Sequence, residues 1–220
     1  MRHFDQQLDE LRSRLLEMSG LVESSIYRSV VALTEKDEQQ AMQALQSESR
    51  INQMEIEIDD LATGLLALEQ PVATDLRFIT AAIKINNDLE RMGDHAVNIA
   101  ERALSLIHEP VVKPLVDIPL LASMVESMVR QSLDAFVKKD SSLARTVLTS
   151  DDGVDELRDS IYDELIIYME KDATTIRQCL DLIFVARNLE RIADHSTNIA
   201  EDVVFLVEGV DVRHHAEARK

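Results

Sequence analysis

The sequence contains the same block of residues twice, and this duplication constrains the fold more than any other feature. The block reads NDLERMGDHAVNIAE at residues 87–101 and RNLERIADHSTNIAE at residues 187–201, an offset of 100. Further upstream, ALTEKD at residues 32–37 corresponds to AFVKKD at residues 135–140, an offset of 103. A duplication that covers most of a chain predicts two copies of one structural unit.

Each copy has the residue pattern of three long helices. Apolar residues recur three or four positions apart, which places them on one face of a helix. Only 5 glycines and 4 prolines interrupt the 220 residues. The predicted helices are Phe4–Glu35, Glu38–Leu68 and Pro71–Ile107 in the first copy, and Leu120–Lys138, Ser141–Glu170 and Ala173–Val210 in the second.

These patterns predict an all-α fold of two tandem antiparallel three-helix bundles, related by the internal duplication and a pseudo-twofold axis. The segment from Pro110 to Pro119 contains three of the four prolines and links the copies. We therefore expect one bundle in residues 1–110 and the other in residues 111–220. The polar segment from Arg213 to Ala216 is expected to fray.

The charge and cysteine content narrow the classes of function. The formal net charge is −18, which opposes binding to nucleic acid and suits metal cations or basic protein surfaces. The single cysteine, Cys179, lies in an apolar helical run and is expected to be buried. No signal peptide or apolar run of transmembrane length is seen. We expect a cytoplasmic protein that meets a membrane only through partners.

Acidic rows on the helices are the main candidate site. In each copy the third helix carries carboxylates four residues apart, so their oxygens share a face. The second helix carries comparable rows, which would face them if the two helices pack side by side. Oxygen-rich clusters suit hard cations such as Mg²⁺, Mn²⁺, Ca²⁺ or ferric iron, whereas a single acidic row is usually a solvated surface. The candidate metal ligands are Glu48, Asn52, Glu90 and Asp94 in the first copy, and Asp151, Asp155, Glu190 and Asp194 in the second.

Other recurrent polar residues have more ordinary interpretations. His95 and His195 recur beside the acidic rows and are expected to pair with neighbouring side chains rather than to bind metal. Arg77 and Arg177, near the start of the third helices, are expected to anchor the preceding turns. No nucleophile motif or Gly-rich phosphate loop is present, so no catalytic residue is predicted.

The repeated block resembles a known family signature. LERMGDHAVNIAE and LERIADHSTNIAE resemble the duplicated ERxxDHxxNIAE blocks of the PhoU family, and EQPVATDLR at residues 69–77 resembles its QPVAxDLR stretch. The opening HFDQQLDELRSRLLEM resembles the family's first helix. The likeness runs from about residue 3 to residue 208. Asn52 departs from the family pattern, where an acid is usual, and the second set of ligands is therefore the stronger candidate.

The resemblance implies a fold, a cofactor and a regulatory role. PhoU proteins have two three-helix bundles, and their E/DxxxD motifs are associated with multinuclear metal clusters, typically of iron. They couple the ATPase of the phosphate ABC transporter to a sensor histidine kinase, keep phosphate-starvation genes off when phosphate is plentiful, and often form dimers. This makes a non-enzymatic negative regulator of phosphate uptake the leading hypothesis. The alternatives are a metal-dependent all-α enzyme, either a nucleotide pyrophosphatase or a carboxylate-bridged metal oxidase, and a metal-free helical scaffold.

Overall fold

A computed structural model describes residues 3–213 of the chain, which form long helices and contain no strand. The predicted all-α class is confirmed, and each copy contributes three helices. None of the helices in this part of the chain is long and apolar enough to cross a membrane. The helices are α1 His3–Glu35, α2 Glu38–Glu69, α3 Ala73–Leu106, α4 Asp117–Lys138, α5 Ser141–Lys171 and α6 Ile176–Glu208.

The turn between the first and second helices has the same structure in both copies. Asp37 caps α2 by accepting hydrogen bonds from the backbone N–H groups of the two residues at 39 and 40. Asp140, at the equivalent position, caps α5 by accepting from the N–H of residue 143. Before each cap, Lys36 and Lys139 adopt the left-handed conformation, which ends the preceding helix. The duplication thus extends to the backbone of the turns.

Three helix starts differ from the predicted ones by two residues or more. Helix α3 begins at Ala73 rather than at Pro71, because the residue ahead of it, Val72, is extended. Helix α4 begins at Asp117 rather than at Leu120, since Pro119 is tolerated in a first helical turn, where its missing N–H costs nothing. In the second copy a short 3₁₀ turn, Ala173–Thr175, precedes α6.

The two bundles pack against each other through α3 and α6. Within each copy the three helices contact one another, and between copies α3 packs along α6 while α1 crosses α4. The buried apolar residues of both copies form one cluster, which includes Cys179, as expected. The predicted boundary at residue 110 falls in the segment between α3 and α4 and stays a prediction. Of the predicted frayed tail, residues 214–216 lie outside the described part of the chain.

Candidate functional site

The second copy brings its four predicted ligands together in the groove between α5 and α6. Burial raises the pKa of Asp151 to about 6, and the negative charges of Asp194 and Asp155 add to the shift. The pKa values of Glu190 and Asp194 are raised as well, by partial desolvation and by carboxylates facing them across the groove. These carboxylates are close enough to repel one another when all of them are ionised.

A positive charge inside this cluster was not foreseen. Arg158, on α5, donates through Nη1 to Asp155 Oδ1 at 2.8 Å and to Glu190 Oε1 at 2.9 Å. Its Nη2 donates to Asp159 Oδ1 at 2.8 Å. Its guanidinium carbon lies 6.0 Å from the ring centre of Tyr162. The guanidinium therefore holds three carboxylates of the groove at once.

The first copy has a comparable groove between α2 and α3, with different residues at its centre. Burial raises the pKa of Glu90, and the charges of Asp94 and Glu55 add to the shift. Glu55 was not among the predicted ligands, although it lies one turn after Asn52 on α2. The side chains of Glu48 and Asn52 make no hydrogen bond or ion pair within residues 3–213.

Asn86 ties the two helices of the first groove together one turn before Glu90. Its Nδ2 donates to the backbone oxygen of Glu55 at 2.9 Å and to Asp59 Oδ1 at 3.0 Å. The residue is only 1% exposed, and its Oδ1 atom has no hydrogen-bond partner among the described residues. A buried amide oxygen without a donor is costly, so this atom is available to a bound ion or water.

The donor chemistry of both grooves suits a hard cation, because every candidate ligand presents oxygen. Within residues 3–213, however, no three Asp, Glu, His or Cys side chains already converge closely enough to hold a metal ion. A bound cation would therefore have to draw the carboxylates together as it relieves their mutual repulsion. Seven of the eight predicted ligands are acids, and Asn52 supplies an amide.

The repeated histidines lie where α3 and α6 meet, and not in the grooves. His95 Nδ1 is 3.0 Å from Asn188 Oδ1, and His195 Nδ1 is 2.8 Å from Asp88 Oδ1. The two rings stack with their centres 5.6 Å apart. His95 of the first copy thus pairs with Asn188 of the second, and His195 of the second pairs with Asp88 of the first. Residues 88 and 188 are equivalent positions, because they differ by the repeat offset of 100. The expectation that the histidines pair with neighbours is confirmed, and the reciprocal contacts demonstrate the pseudo-twofold axis.

An alignment of the two copies marks the groove and interface residues that the sequence analysis did not predict, because equivalent positions carry different charges. The offset of 103 that relates Glu48 to Asp151 also relates Glu55 to Arg158, so the alignment contains a reversal of charge at that position. The offset of 100 likewise relates Asp88 to Asn188. Their partners across the helix interfaces could be read only from the structure.

Comparisons with known proteins agree with this architecture. The family model described as PhoU domain matches twice, at residues 15–103 and 118–203. The "Phosphate-specific transport system accessory protein PhoU homolog" of Pseudomonas putida is 42% identical over 214 residues, which cover 97% of this chain and 84% of the relative. The homologue of the same description from Pseudomonas aeruginosa is also 42% identical over 214 residues, covering 97% of this chain and 88% of the relative.

Solved structures show the same fold. The crystal structure of PhoU from Pseudomonas aeruginosa matches with a TM-score of 0.92 and 41% identity, over 94% of this chain and 100% of that one. The phosphate transport system regulatory protein PhoU from Streptococcus pneumoniae matches with a TM-score of 0.88 and 30% identity, over 96% of this chain and 99% of that one. With both domains matched and the relatives covered nearly end to end, this chain belongs to the PhoU family.

Proposed function

We propose that this chain is a cytoplasmic accessory protein of phosphate-specific transport that restrains phosphate uptake and the phosphate-starvation response. The observation that carries the proposal is the match over 97% of this chain, through both PhoU domains, to relatives named as accessory proteins of that system. Those relatives are named for an accessory role rather than for an enzymatic one, which favours a regulator.

The proposed partners are the ATPase of the phosphate ABC transporter and a sensor histidine kinase, and the proposed assembly is a homodimer. In this proposal the chain meets a membrane only through these partners. The net charge of −18 favours docking on basic surfaces of those partners.

The proposed cofactor is a metal cluster held by the acidic grooves. A multivalent cation would neutralise carboxylates that now raise one another's pKa values, and would thereby clamp the second helix of a bundle to the third. The family resemblance favours iron, while the oxygen donors also suit Mn²⁺ or Mg²⁺.

Genetic complementation tests the regulatory role. The chain is expressed in Pseudomonas aeruginosa that lacks its own PhoU homologue, and a phosphate-starvation reporter is measured in phosphate-rich medium. We expect the chain to return the reporter to the repressed level, because a relative of 42% identity over nearly its whole length should present similar docking surfaces. A reporter that stays derepressed while the chain is expressed and folded would refute this regulatory role.

An activity assay separates the regulator from the enzyme alternatives. Purified chain is incubated with nucleoside triphosphates and Mg²⁺, and release of phosphate or pyrophosphate is measured. We expect turnover no faster than the blank. Hydrolysis that disappears in Glu190→Gln/Asp194→Asn would instead favour a metal-dependent pyrophosphatase.

A further inference from the structure

Equivalent positions at the centre of the two acidic grooves carry opposite charges. Glu55 on α2 and Arg158 on α5 are related by the offset of 103 that relates the rest of these helices. Two neighbouring positions also carry different residues in the two copies: Asp59 corresponds to Tyr162, and Asn86 corresponds to Ala186. The grooves are therefore alike in backbone and different in the charge at their centre.

In the second groove Arg158 occupies the position that a cation between the carboxylates would need. It binds Asp155 and Glu190 from opposite helices, and the side chains of Arg158 and Glu190 are only 19% and 20% exposed. The contact between Arg158 and Glu190 joins two mostly covered side chains, and a charge-assisted hydrogen bond of this kind is stronger than a fully exposed ion pair. A metal ion that binds both Asp155 and Glu190 would have to break both of these contacts.

Among the described residues, no lysine or arginine bridges the carboxylates of the first groove, although the charge of Arg91 offsets part of the rise in the pKa of Glu90. Within residues 3–213 neither lysine nor arginine forms an ion pair with Glu55, Glu90 or Asp94. Asn86, buried beside Glu55, has an amide oxygen that no donor satisfies. A cation entering this groove would relieve repulsion and satisfy that oxygen without displacing a residue.

We propose that Arg158 is a built-in counter-ion that closes the second groove to metal, and that the first groove, with Glu55 at its centre, is the metal-binding one. The other ligands of the first groove would be Glu48, Glu90 and Asp94, with Asn86 oriented by α2. This inference rests on the metal-binding part of the proposed function. It reverses the order of the two sites expected from the count of acids.

Binding of Mn²⁺ to the full chain tests the inference. Affinity and stoichiometry are measured by calorimetry on metal-stripped protein, and bound metal is confirmed by elemental analysis after desalting. We expect Glu90→Gln/Asp94→Asn to weaken Mn²⁺ binding at least tenfold, and Glu190→Gln/Asp194→Asn to leave it within twofold of the unmodified chain. Circular dichroism verifies that each variant is folded.

Removal of the guanidinium tests the closure directly. We expect Arg158→Gln to add a second Mn²⁺ site, and the triple variant Arg158→Gln/Glu190→Gln/Asp194→Asn to lose that gain. Arg145→Gln is the matched control: it removes the same charge from the same helix, at a residue that pairs with Glu208 instead. We expect the control to bind Mn²⁺ as the unmodified chain does.

The outcomes separate this inference from the wider proposal. Binding that is lost in Glu190→Gln/Asp194→Asn and kept in Glu90→Gln/Asp94→Asn would overturn the inference. Unchanged binding in folded Arg158→Gln would overturn the closure by Arg158 and leave metal binding in place. If Arg158→Gln does not fold, the two double variants still decide between the grooves. Absence of bound Mn²⁺ from the unmodified chain and from every variant would refute both the inference and the metal cofactor. The reporter experiment would still test the regulatory role independently.

Discussion

At the scale of single residues, the internal duplication brings like charges together. Glu23 on α1 and Glu126 on α4 are related by the offset of 103, and they meet where the two bundles cross. Burial raises the pKa of both carboxyls, and the charge of Glu23 raises that of Glu126 further. Arg130, whose Nε lies 4.0 Å from Glu23 Oε2, offsets part of this repulsion.

The raised pKa values predict the pH dependence of stability. A carboxyl with a raised pKa in the folded chain stabilises most below its ordinary value, 4.5 for Glu126, and this contribution is lost as the pH rises through the raised value. We therefore expect Glu126→Gln to raise the Tm at pH 7 by up to about 3 °C, since solvent screening keeps the effect near or below 1 kcal/mol.

The measurement is the Tm by circular dichroism at pH 7 and at about pH 5, compared between the variant and the unmodified chain. The advantage of Glu126→Gln should shrink at the lower pH, where Glu126 itself gains protons. Glu10→Gln, at an exposed position of α1, makes the same charge change and should shift the Tm less. An advantage that grew on acidification would contradict the assigned direction of the pKa shift.

At the scale of elements, the contact between the second and third helices is formed by different side chains in the two bundles. In the first bundle Gly93 of α3 faces Ile51 of α2, and a Cβ at residue 93 would lie 3.1 Å from Ile51 Cδ1. In the second bundle the equivalent residues are Ala193 and Val154, both buried. The smaller residue on one helix thus accompanies the larger one on the other, so the combined side-chain volume at this contact is similar in the two bundles.

This complementarity predicts that the two positions are energetically coupled. Ile51→Val alone should cost about 0.5–1.5 kcal/mol. Gly93→Ala gains up to about 1 kcal/mol of helix propensity but meets Ile51 at 3.1 Å. We expect the double variant, which copies the second bundle, to be more stable than the sum of the single effects by at least about 0.5 kcal/mol. Urea unfolding of all four proteins measures the coupling, and strictly additive effects would refute it.

At the scale of the whole molecule, the helix pair that joins the bundles, α3 with α6, packs as extensively as any helix pair within a bundle. Phe78 of α3 stacks on Phe136 of α4 with ring centres 5.6 Å apart, and both rings are buried. Lys84 pairs with the buried Asp202 of α6 at 2.7 Å. Since the core is shared, neither bundle alone buries the apolar faces that α3 and α6 now cover.

The shared core predicts that the two halves depend on each other. Fragments 1–110 and 111–220, produced separately, should each melt well below the full chain and expose apolar surface to a dye. Mixing them should restore a one-to-one complex with cooperative unfolding, because burial of the interface is regained. Sedimentation and thermal melts measure both effects.

The control for this experiment is the mixture of 1–110 with a 111–220 fragment that carries Phe136→Ala. Loss of that ring from the interface should weaken the complex measurably. Fragments that each unfold cooperatively near the Tm of the full chain would show instead that the bundles are independent domains.

The sequence alone determined the helices, their grouping into two copies and the acidic rows on them. These features are periodic and local, because a helix displays residues three and four apart on one face whatever lies beside it. The same reasoning identified the eight candidate ligands and ranked the second set first, because it counted acids and had no access to the groups opposite them.

Only the tertiary structure decided which charges share a groove. The sequence shows that Arg158 replaces the acid at residue 55, but the position of its guanidinium between Asp155 and Glu190 depends on how α5 packs against α6. The pairing of His195 with Asp88 likewise depends on the pseudo-twofold packing of α3 on α6. Contacts between residues distant in the chain follow from the packing of whole helices, and a helical period specifies the face of a helix without specifying its partner.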